Sequence, residues 1–269
     1  MTEDDVQLLG DILKKRSGLA LTADKDYLLE SRLAPVARRR GFASLARLVD
    51  ALRLGRDESL LAEVTEAMTT NESYFFRGPE LFEAFRESIL PRFFANRGNG
   101  HTLRIWSAAC STGQEPYSLA MQLKEIASAA ACPTEILATD LSREALEKAK
   151  AGLYSQFEVQ RGLPIQYLVK YFSQVGPMWR IDPAFRTLIT FRHHNLLDHA
   201  DAMGKFDLIL CRNVLIYFDP ETKRQVLDNL ANQLRPDGML YLGSYETILG
   251  ITNRFKPIPG QFGAYAVAA

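Results

Sequence analysis

Two stretches of the chain place polar chemistry at the ends of apolar runs. In "TLRIWSAACSTGQEPYS" a row of small residues, Ser107 to Gly113, separates a β-rich segment from a helical one. Small residues let a ligand approach the backbone closely, and the start of the following helix favours electronegative groups. Gly113 is the only glycine of that loop, so the pattern is not the G-x-G-x-x-G cradle of a pyrophosphate. A ligand without phosphates needs no such cradle. In "TEILATD" Asp140 ends the next apolar run, where an acid can accept both hydroxyls of a ribose. The competing reading is that Asp140 caps the next helix, a role open also to Ser142. Loop and acid together point to an adenosine-containing cofactor.

A third stretch, "CRNVLIYFD", sets Arg212, Asn213 and Tyr217 after another apolar run. "NLLD", residues 195 to 198, ends a further one, with His193, His194 and His199 around it. Those histidines are read as surface loop residues, because no second cluster of carboxylates or thiolates has ligand-like spacing. No metal is expected. No Ser-His-Asp or Cys-His pattern stands out, and Cys110 is read as filling a small space.

The elements that must position these residues follow from periodicity. "TLRIWSAA", "TEILATD", "FDLILCRN" and "MLYLGSYE" are short β-rich runs, and helical patterns follow the first three. Such alternation predicts a parallel sheet of βαβ units with ligands at the carboxyl ends of its strands. Residues 153–194 interrupt it: "QFEVQRGLPIQYLVKYF" reads as helix, and "MWRIDPAFRTLITFRHH" as two short strands around a "DPAF" turn. Residues 1–68 read as a bundle of four helices, the second kinked or broken at Pro35, the third opening at Ser44 and ending before Gly55. Residues 69–99 link the bundle to an α/β domain over 100–269.

Composition narrows the function classes. The 269 residues are 47% hydrophobic and 24% charged, which suits packed domains rather than disorder. Lysine plus arginine and aspartate plus glutamate both number 32, so no global charge draws the chain to nucleic acid or an anionic membrane. No apolar run reaches the ~18 residues of a membrane span, and "MTEDDVQLLG" is acidic where a signal peptide is basic. Cys110, Cys132 and Cys211 are odd in number and form no C-x-x-C. A reduced cytoplasmic protein without disulfides is expected, and nothing demands more than a monomer. Between residues 31 and 56 seven arginines face one acid, Asp50. This is either a solvated helix face or a docking patch for an acidic partner.

Six stretches, "TTNESYFFR", "WSAACSTGQEPYSLAM", "ATDLSREALEKAKAGLY", "NLLD", "FDLILCRNVLIYFD" and "LRPDGMLYLGSYE", resemble in order the CheR family of chemotaxis receptor methyltransferases. The resemblance covers almost the whole chain. It implies an N-terminal helical domain and a Rossmann-like methyltransferase domain of the α/β class with a small antiparallel β-subdomain insert. It further implies methyl transfer from S-adenosylmethionine to glutamate side chains of receptor cytoplasmic coiled coils. By the match, Asn71, Ser73 and Arg77 cover the cofactor, with serine where the family commonly has threonine. Glu115 and Asp140 match the family's cofactor acids, Asn195 and Leu196 its adenine-side contacts, and Arg212 and Asn213 its "RN" pair. Tyr217 matches a tyrosine near the reacting methyl.

Glutamate, with a reference pKa of about 4.3, is anionic at neutral pH and attacks a sulfonium methyl without a general base. Arg77 and Tyr217 are therefore expected to position the substrate carboxylate or close the site. The resemblance also assigns receptor docking to the second helix, through Arg32, Arg38, Arg39 and Arg40. The insert "SQVGPMWRIDPAFRTLITF" is compact, with Gly176 its only glycine, and resembles the shorter form that needs no C-terminal tethering peptide. Two rival readings are a methyltransferase for RNA or a small molecule, and a non-catalytic cofactor-binding regulator that docks on receptors.

Overall fold

The computed structural model describes residues 1–21, 26–96, 101–126 and 133–268. Cys132, the start of the expected second helix and the end of the helix after "STGQ" lie outside them. The chain forms two compact units, residues 1–70 with 217–225, and residues 71–216 with 226–269.

The first unit is helical. Helix α1 (Glu3–Ser17) opens with a capping box between Thr2 and Asp5, carries acids in its first turn and bases in its last, and stops at Gly18 with φ 77°. Helix α2 (Asp26–Arg39) runs through Pro35 unbroken, where a kink or a break was expected. Proline removes one bond, to the carbonyl of Ser31, and Ser31 is exposed to water. Helix α3 (Leu45–Leu54) has Ser44 as its N-cap and Gly55 as its C-cap, as the sequence predicts. Helix α4 (Glu58–Ala67) is capped by Asp57. Leu9, Leu13, Leu29, Leu33, Leu48 and Val64 are fully buried between them. Residues 217–225 join this unit through a bridge between Leu19 and Phe218 and a 2.7 Å ion pair between Lys14 and Asp219.

The second unit begins with α5 (Pro79–Ala84), a π turn (Phe85–Ile89) and α6 (Leu90–Asn96). It continues with β1 (Leu103–Ala108), α7 (Gln114–Glu125), β2 (Thr134–Asp140), α8 (Arg143–Ala151) and β3 (Leu153–Ser155). Then come α9 (Gln156–Gln160), α10 (Ile165–Tyr171), β4 (Phe172–Val175), β5 (Met178–Ile181), α11 (Pro183–Leu188) and β6 (Ile189–His193). The last elements are β7 (Phe206–Cys211), α12 (Pro220–Gln233, of which residues 220–225 are counted with the helical unit), β8 (Leu234–Leu242), β9 (Phe255–Pro257) and β10 (Ala264–Val267).

Among the described residues the large sheet has the order β6-β2-β1-β7-β8-β10-β9. Strands β6, β2, β1, β7 and β8 are parallel, and β10 and β9 are antiparallel additions at one edge. The chain runs outward from β1 through β2 to β6, then returns to β7 on the other side. That reversal opens a crevice at the carboxyl ends of β1 and β7.

A second sheet, β3-β5-β4, is antiparallel. The expected "DPAF" turn between two strands is instead the start of α11. Asp182 accepts the Ala184 N–H, Pro183 takes the first helical position and Phe185 is fully buried. The strand that follows, β6, pairs with β2 in the large sheet, so the small sheet ends at Ile181.

Candidate active site

The loop after β1 is held in an uncommon backbone shape. Ala109 and Ser111 have φ of 66° and 51°, and Gly113 has φ 93°. A Cβ on Gly113 would lie 2.8 Å from the Cβ of Ala149 in α8. Left-handed non-glycine residues cost on the order of 1–3 kcal/mol each and persist only where neighbours hold them. Here the Cys110 N–H donates to the Thr139 carbonyl at 2.8 Å, and the Ser111 N–H donates to Asp140 Oδ2 at 2.7 Å.

Asp140 is 7% exposed and its other oxygen accepts the Ser142 N–H at 2.9 Å. Burial pushes its carboxyl above the ordinary range, opposed by the N–H groups of Ser142, Ser111 and Leu141. The competing cap reading is decided here: the hydroxyl of Ser142 caps α8 by accepting the Ala145 N–H at 3.1 Å. With one direct N–H bond to each oxygen, Asp140 keeps acceptor capacity for a ligand's hydroxyl donors.

On the β7 side, Arg212 and Glu115 form a buried pair. Arg212 Nη1 meets Glu115 Oε2 at 2.8 Å, and the side chains are 5% and 12% exposed. Ser107 on β1 donates to the other oxygen of Glu115 at 2.7 Å. Arg212 Nη2 donates to the Arg77 carbonyl at 2.5 Å, while its buried Nε has no partner among the described residues. A buried donor left open is a place for an acceptor atom of a ligand.

Asn213 follows with φ 58°. Its N–H donates to Glu246 Oε2 at 2.8 Å, and that carboxylate also accepts the N–H groups of Gly243, Val214 and Leu215 at 2.7 to 2.9 Å. Gly243 leaves room for that carboxylate, since a Cβ there would sit 2.7 Å from Glu246 Oε2 and 3.1 Å from the Asn213 nitrogen.

After β6, the Asn195 side chain accepts the Leu197 N–H at 3.1 Å, and Leu196 is buried. Asn229 of α12 reaches the carbonyls of Leu196, Leu197 and Asp198 at 3.2 to 3.4 Å. The His194 N–H donates to the Asp140 carbonyl at 3.1 Å. Burial holds the imidazole of His194, which packs on Trp106, below its usual range. No group of metal-ligating side chains forms among the described residues.

Residues 71 to 77 are tied to the β1 side of this edge. Ser111 Oγ donates to the Asn71 carbonyl at 2.9 Å, and the Phe76 N–H donates to Ser118 Oγ at 3.0 Å. The adjacent aromatics are anchors. Phe75 is fully buried with edge contacts to Tyr154 and Phe172 at 4.9 and 5.6 Å, and Phe76 stacks on Tyr167 at 5.2 Å. Asn71 is exposed and Ser73 half-buried. The Arg77 guanidinium turns back on its own segment, donating to the Glu72 carbonyl at 3.0 Å and lying 5.3 Å from the Tyr74 ring centre.

The structure therefore brings Asn71, Ser73, Arg77, Glu115, Asp140, Asn195, Leu196, Arg212 and Asn213 into one unit. Tyr217 belongs to the helical unit, where its carbonyl accepts the Ala20 N–H at 2.9 Å. Arg32 is committed inside that unit: it donates to the carbonyls of Met68 and Thr69 and to the hydroxyl of Thr70 at 2.6 to 3.0 Å. Its guanidinium thus ties down the end of α4. Arg39 and Arg40 share Glu63, and Arg53 pairs with Asp5. Arg38 is exposed. Sequence reasoning missed Glu246, Asn229, Ser107 and Gly162. "LGSYE" was the signal for the first and the small-residue row after β1 for Ser107, while nothing local marks Asn229 or Gly162. A Cβ on Gly162, at φ 82°, would lie 2.1 Å from the Phe75 carbonyl oxygen.

A parallel sheet with a switch-point crevice, an acid closing its second strand and a small-residue loop without a phosphate cradle define a Rossmann-like methyltransferase that binds S-adenosylmethionine. Residues 71–264 match the S-adenosylmethionine-binding domain of CheR methyltransferases and residues 4–69 their all-alpha domain, so the chain belongs to the CheR methyltransferase family. It is 40% identical over 259 residues to chemotaxis protein methyltransferase 1 of Pseudomonas aeruginosa, covering 94% of each chain. It is 39% identical to chemotaxis protein methyltransferase Cher2 of Pseudomonas putida, covering 91% of each chain. The chemotaxis protein methyltransferase of Vibrio parahaemolyticus is also 39% identical, covering 91% of this chain and 90% of that one. No helix among the described residues is long and apolar enough to cross a membrane.

Proposed function

We propose that the protein esterifies glutamate side chains in the cytoplasmic regions of chemoreceptors, acting in the cytoplasm within chemotactic adaptation. The observation that carries this reading is the state of the acids at the sheet edge. Glu115 is held by Arg212 and Ser107, Asp140 by two backbone N–H groups and Glu246 by four. Each of these carboxylates is held by protein donors, which suits an acceptor that arrives ionised and needs no proton removed. The relatives' name, chemotaxis protein methyltransferase, supports the same substrate class.

Bound S-adenosylmethionine supplies a methyl group on a sulfonium, open to direct attack by an anionic oxygen. Asp140 would take the ribose hydroxyls, and Glu115 with the open Nε of Arg212 the charged amino-acid end. Asn195 and Leu196 would line the adenine side, and Asn71, Ser73, Arg77 and Asn213 would complete the enclosure. Arg77 and Tyr217 are the candidates to orient the acceptor carboxylate. Alignment and exclusion of water then supply the rate, a contribution of about 7–11 kcal/mol in well-oriented reactions. No tethering peptide is required in this reading. Its support is the two-residue turn Gly176–Pro177 between β4 and β5, with Gly176 at φ 58°.

The test is transfer of radiolabelled methyl from S-adenosylmethionine to membranes carrying the host's receptors, followed by base and collection of volatile methanol. Base-labile counts on receptor bands, lost in Asp140→Ala, are expected. Base-stable counts, or counts on RNA instead of receptors, would overturn the proposal.

A further inference from the structure

Beside the crevice, where β8 ends and β10 begins, lies a concavity of about 460 Å³ that the catalytic reading does not use. Its volume falls within the about 300–1,000 Å³ of functional clefts. Its wall carries Tyr245, Leu249 and Phe262, which are 91%, 72% and 71% exposed. Single apolar side chains on a surface need no explanation, but several around one hollow mark a contact site. Glu246 lines the hollow with all its oxygen capacity turned to backbone N–H groups, so it offers no further acceptor there. A buried acceptor, Gln261 Oε1, has no partner among the described residues. The site thus asks for apolar side chains and one N–H donor, not an anion or a metal.

Position says what brings them. The carboxylate of Glu246 that lines this hollow also binds the N–H groups of Asn213, Val214 and Leu215, the loop leaving the carboxyl end of β7. The hollow therefore lies one side chain, Glu246, from the loop that follows β7. A protein segment that offers a glutamate to the crevice and runs on past the β7 loop lays its neighbouring residues across this rim. If that segment is helical, residues three or four positions from the glutamate share its face, one turn or about 5.4 Å along the axis.

We infer that Tyr245, Leu249 and Phe262, with Gln261 beneath, form a specificity subsite that receives the apolar side chain one helical turn from the methyl-accepting glutamate. The inference rests on the proposed glutamate methylation and names what selects among glutamates.

The experiment uses the full chain and a receptor cytoplasmic fragment as acceptor, scored by base-labile methyl. Wild-type counts decide the parent reading on their own. The variant Tyr245→Ser/Leu249→Ser/Phe262→Ser alters only exposed side chains, and its melting temperature and S-adenosylmethionine affinity should match the wild type. The acceptor KM should rise at least tenfold. An acceptor with serine in place of the apolar residues one turn either side of the glutamate should show the same loss with wild-type enzyme. It should show little further loss with the variant, the signature of two partners in one contact. An acceptor KM within twofold of wild type, or losses that simply multiply, would overturn the inference. So would a wild-type dimer that the variant splits without any change in acceptor KM, which would assign the face to a second copy of the chain.

Discussion

Glu246→Gln is the sharpest test of how the β7 side of the crevice is built. Oε1 accepts the N–H groups of Val214 and Leu215, and Oε2 those of Asn213 and Gly243, all within 2.7 to 2.9 Å. Glutamine keeps the shape but exchanges one oxygen for an NH₂ group, a donor facing two donors. Whichever way the amide turns, two N–H groups lose their acceptor. An unsatisfied buried donor costs about 1–3 kcal/mol, so the loop should be destabilised by about 2–6 kcal/mol. At the low end this is roughly a 30-fold change in the opening equilibrium, taking about 1.4 kcal/mol per factor of ten. Hydrogen exchange reads it directly: the amides of Asn213, Val214, Leu215 and Gly243 should lose at least that much protection. Amides of β1 such as Ile105 should change far less. Cofactor affinity should fall with it, because Arg212 and Asn213 lead into the same loop. Protection within a factor of three of wild type at all four amides would refute the reasoning.

Gly162→Ala places a Cβ 2.1 Å from the Phe75 carbonyl at a backbone φ of 82°, so residues 74–77 must shift. A loss of about 1–3 kcal/mol in thermal stability and a weaker cofactor affinity by calorimetry are expected, with far-ultraviolet dichroism unchanged. Asp219, lowered to about 2 by its hydrogen bond from Lys14 and by the Thr222 N–H, stabilises the helical unit above its unfolded value near 3.8. That contribution disappears as pH falls from about 4 toward 2. The stability difference between wild type and Asp219→Asn should therefore close over that window, and a gap that widens toward acid would contradict the assignment. Arg38→Glu should raise the KM for an acidic receptor fragment at low salt and not at high salt, because the charge is exposed. Arg32→Met should instead lower the melting temperature, as it frees the carbonyls of Met68 and Thr69.

Buried parallel strands are apolar on both faces, which is why "TLRIWSAA", "TEILATD" and "FDLILCRN" were legible as β1, β2 and β7. Helix ends were legible wherever a side chain caps its own backbone nearby, as at Ser44 and Gly55. The strand β6 was placed in the wrong sheet because "LITF" carries no mark of its partner, which is β2 about fifty residues earlier. "DPAF" failed for a different reason: aspartate before proline starts a turn and starts a helix equally well, and the burial of Phe185 decides between them. The arginine-rich stretch looked like free charge only because its acids, Glu63, Asp57 and Asp5, arrive from other helices.

The site itself was half legible, and the division follows the kind of atom involved. Side chains that could meet a ligand were visible as types: Asp140, Arg212, Asn213. What positions them is mostly backbone, and backbone groups leave no mark in a sequence. The described residues have four non-glycine positions with positive φ, namely Phe76, Ala109, Ser111 and Asn213. All four fall in the three segments that border the crevice. At on the order of 1–3 kcal/mol each, such a set persists only under restraint from its surroundings. The restraints are there: Ser118 Oγ on the Phe76 N–H, Asp140 on the Ser111 N–H and Glu246 on the Asn213 N–H. Two of the three restraining groups are carboxylates, and neither is left free as a base. Asp140 and Glu246 thus hold peptide groups in place, an arrangement that suits the proposed acceptor, which brings its own negative charge and needs only to be aligned.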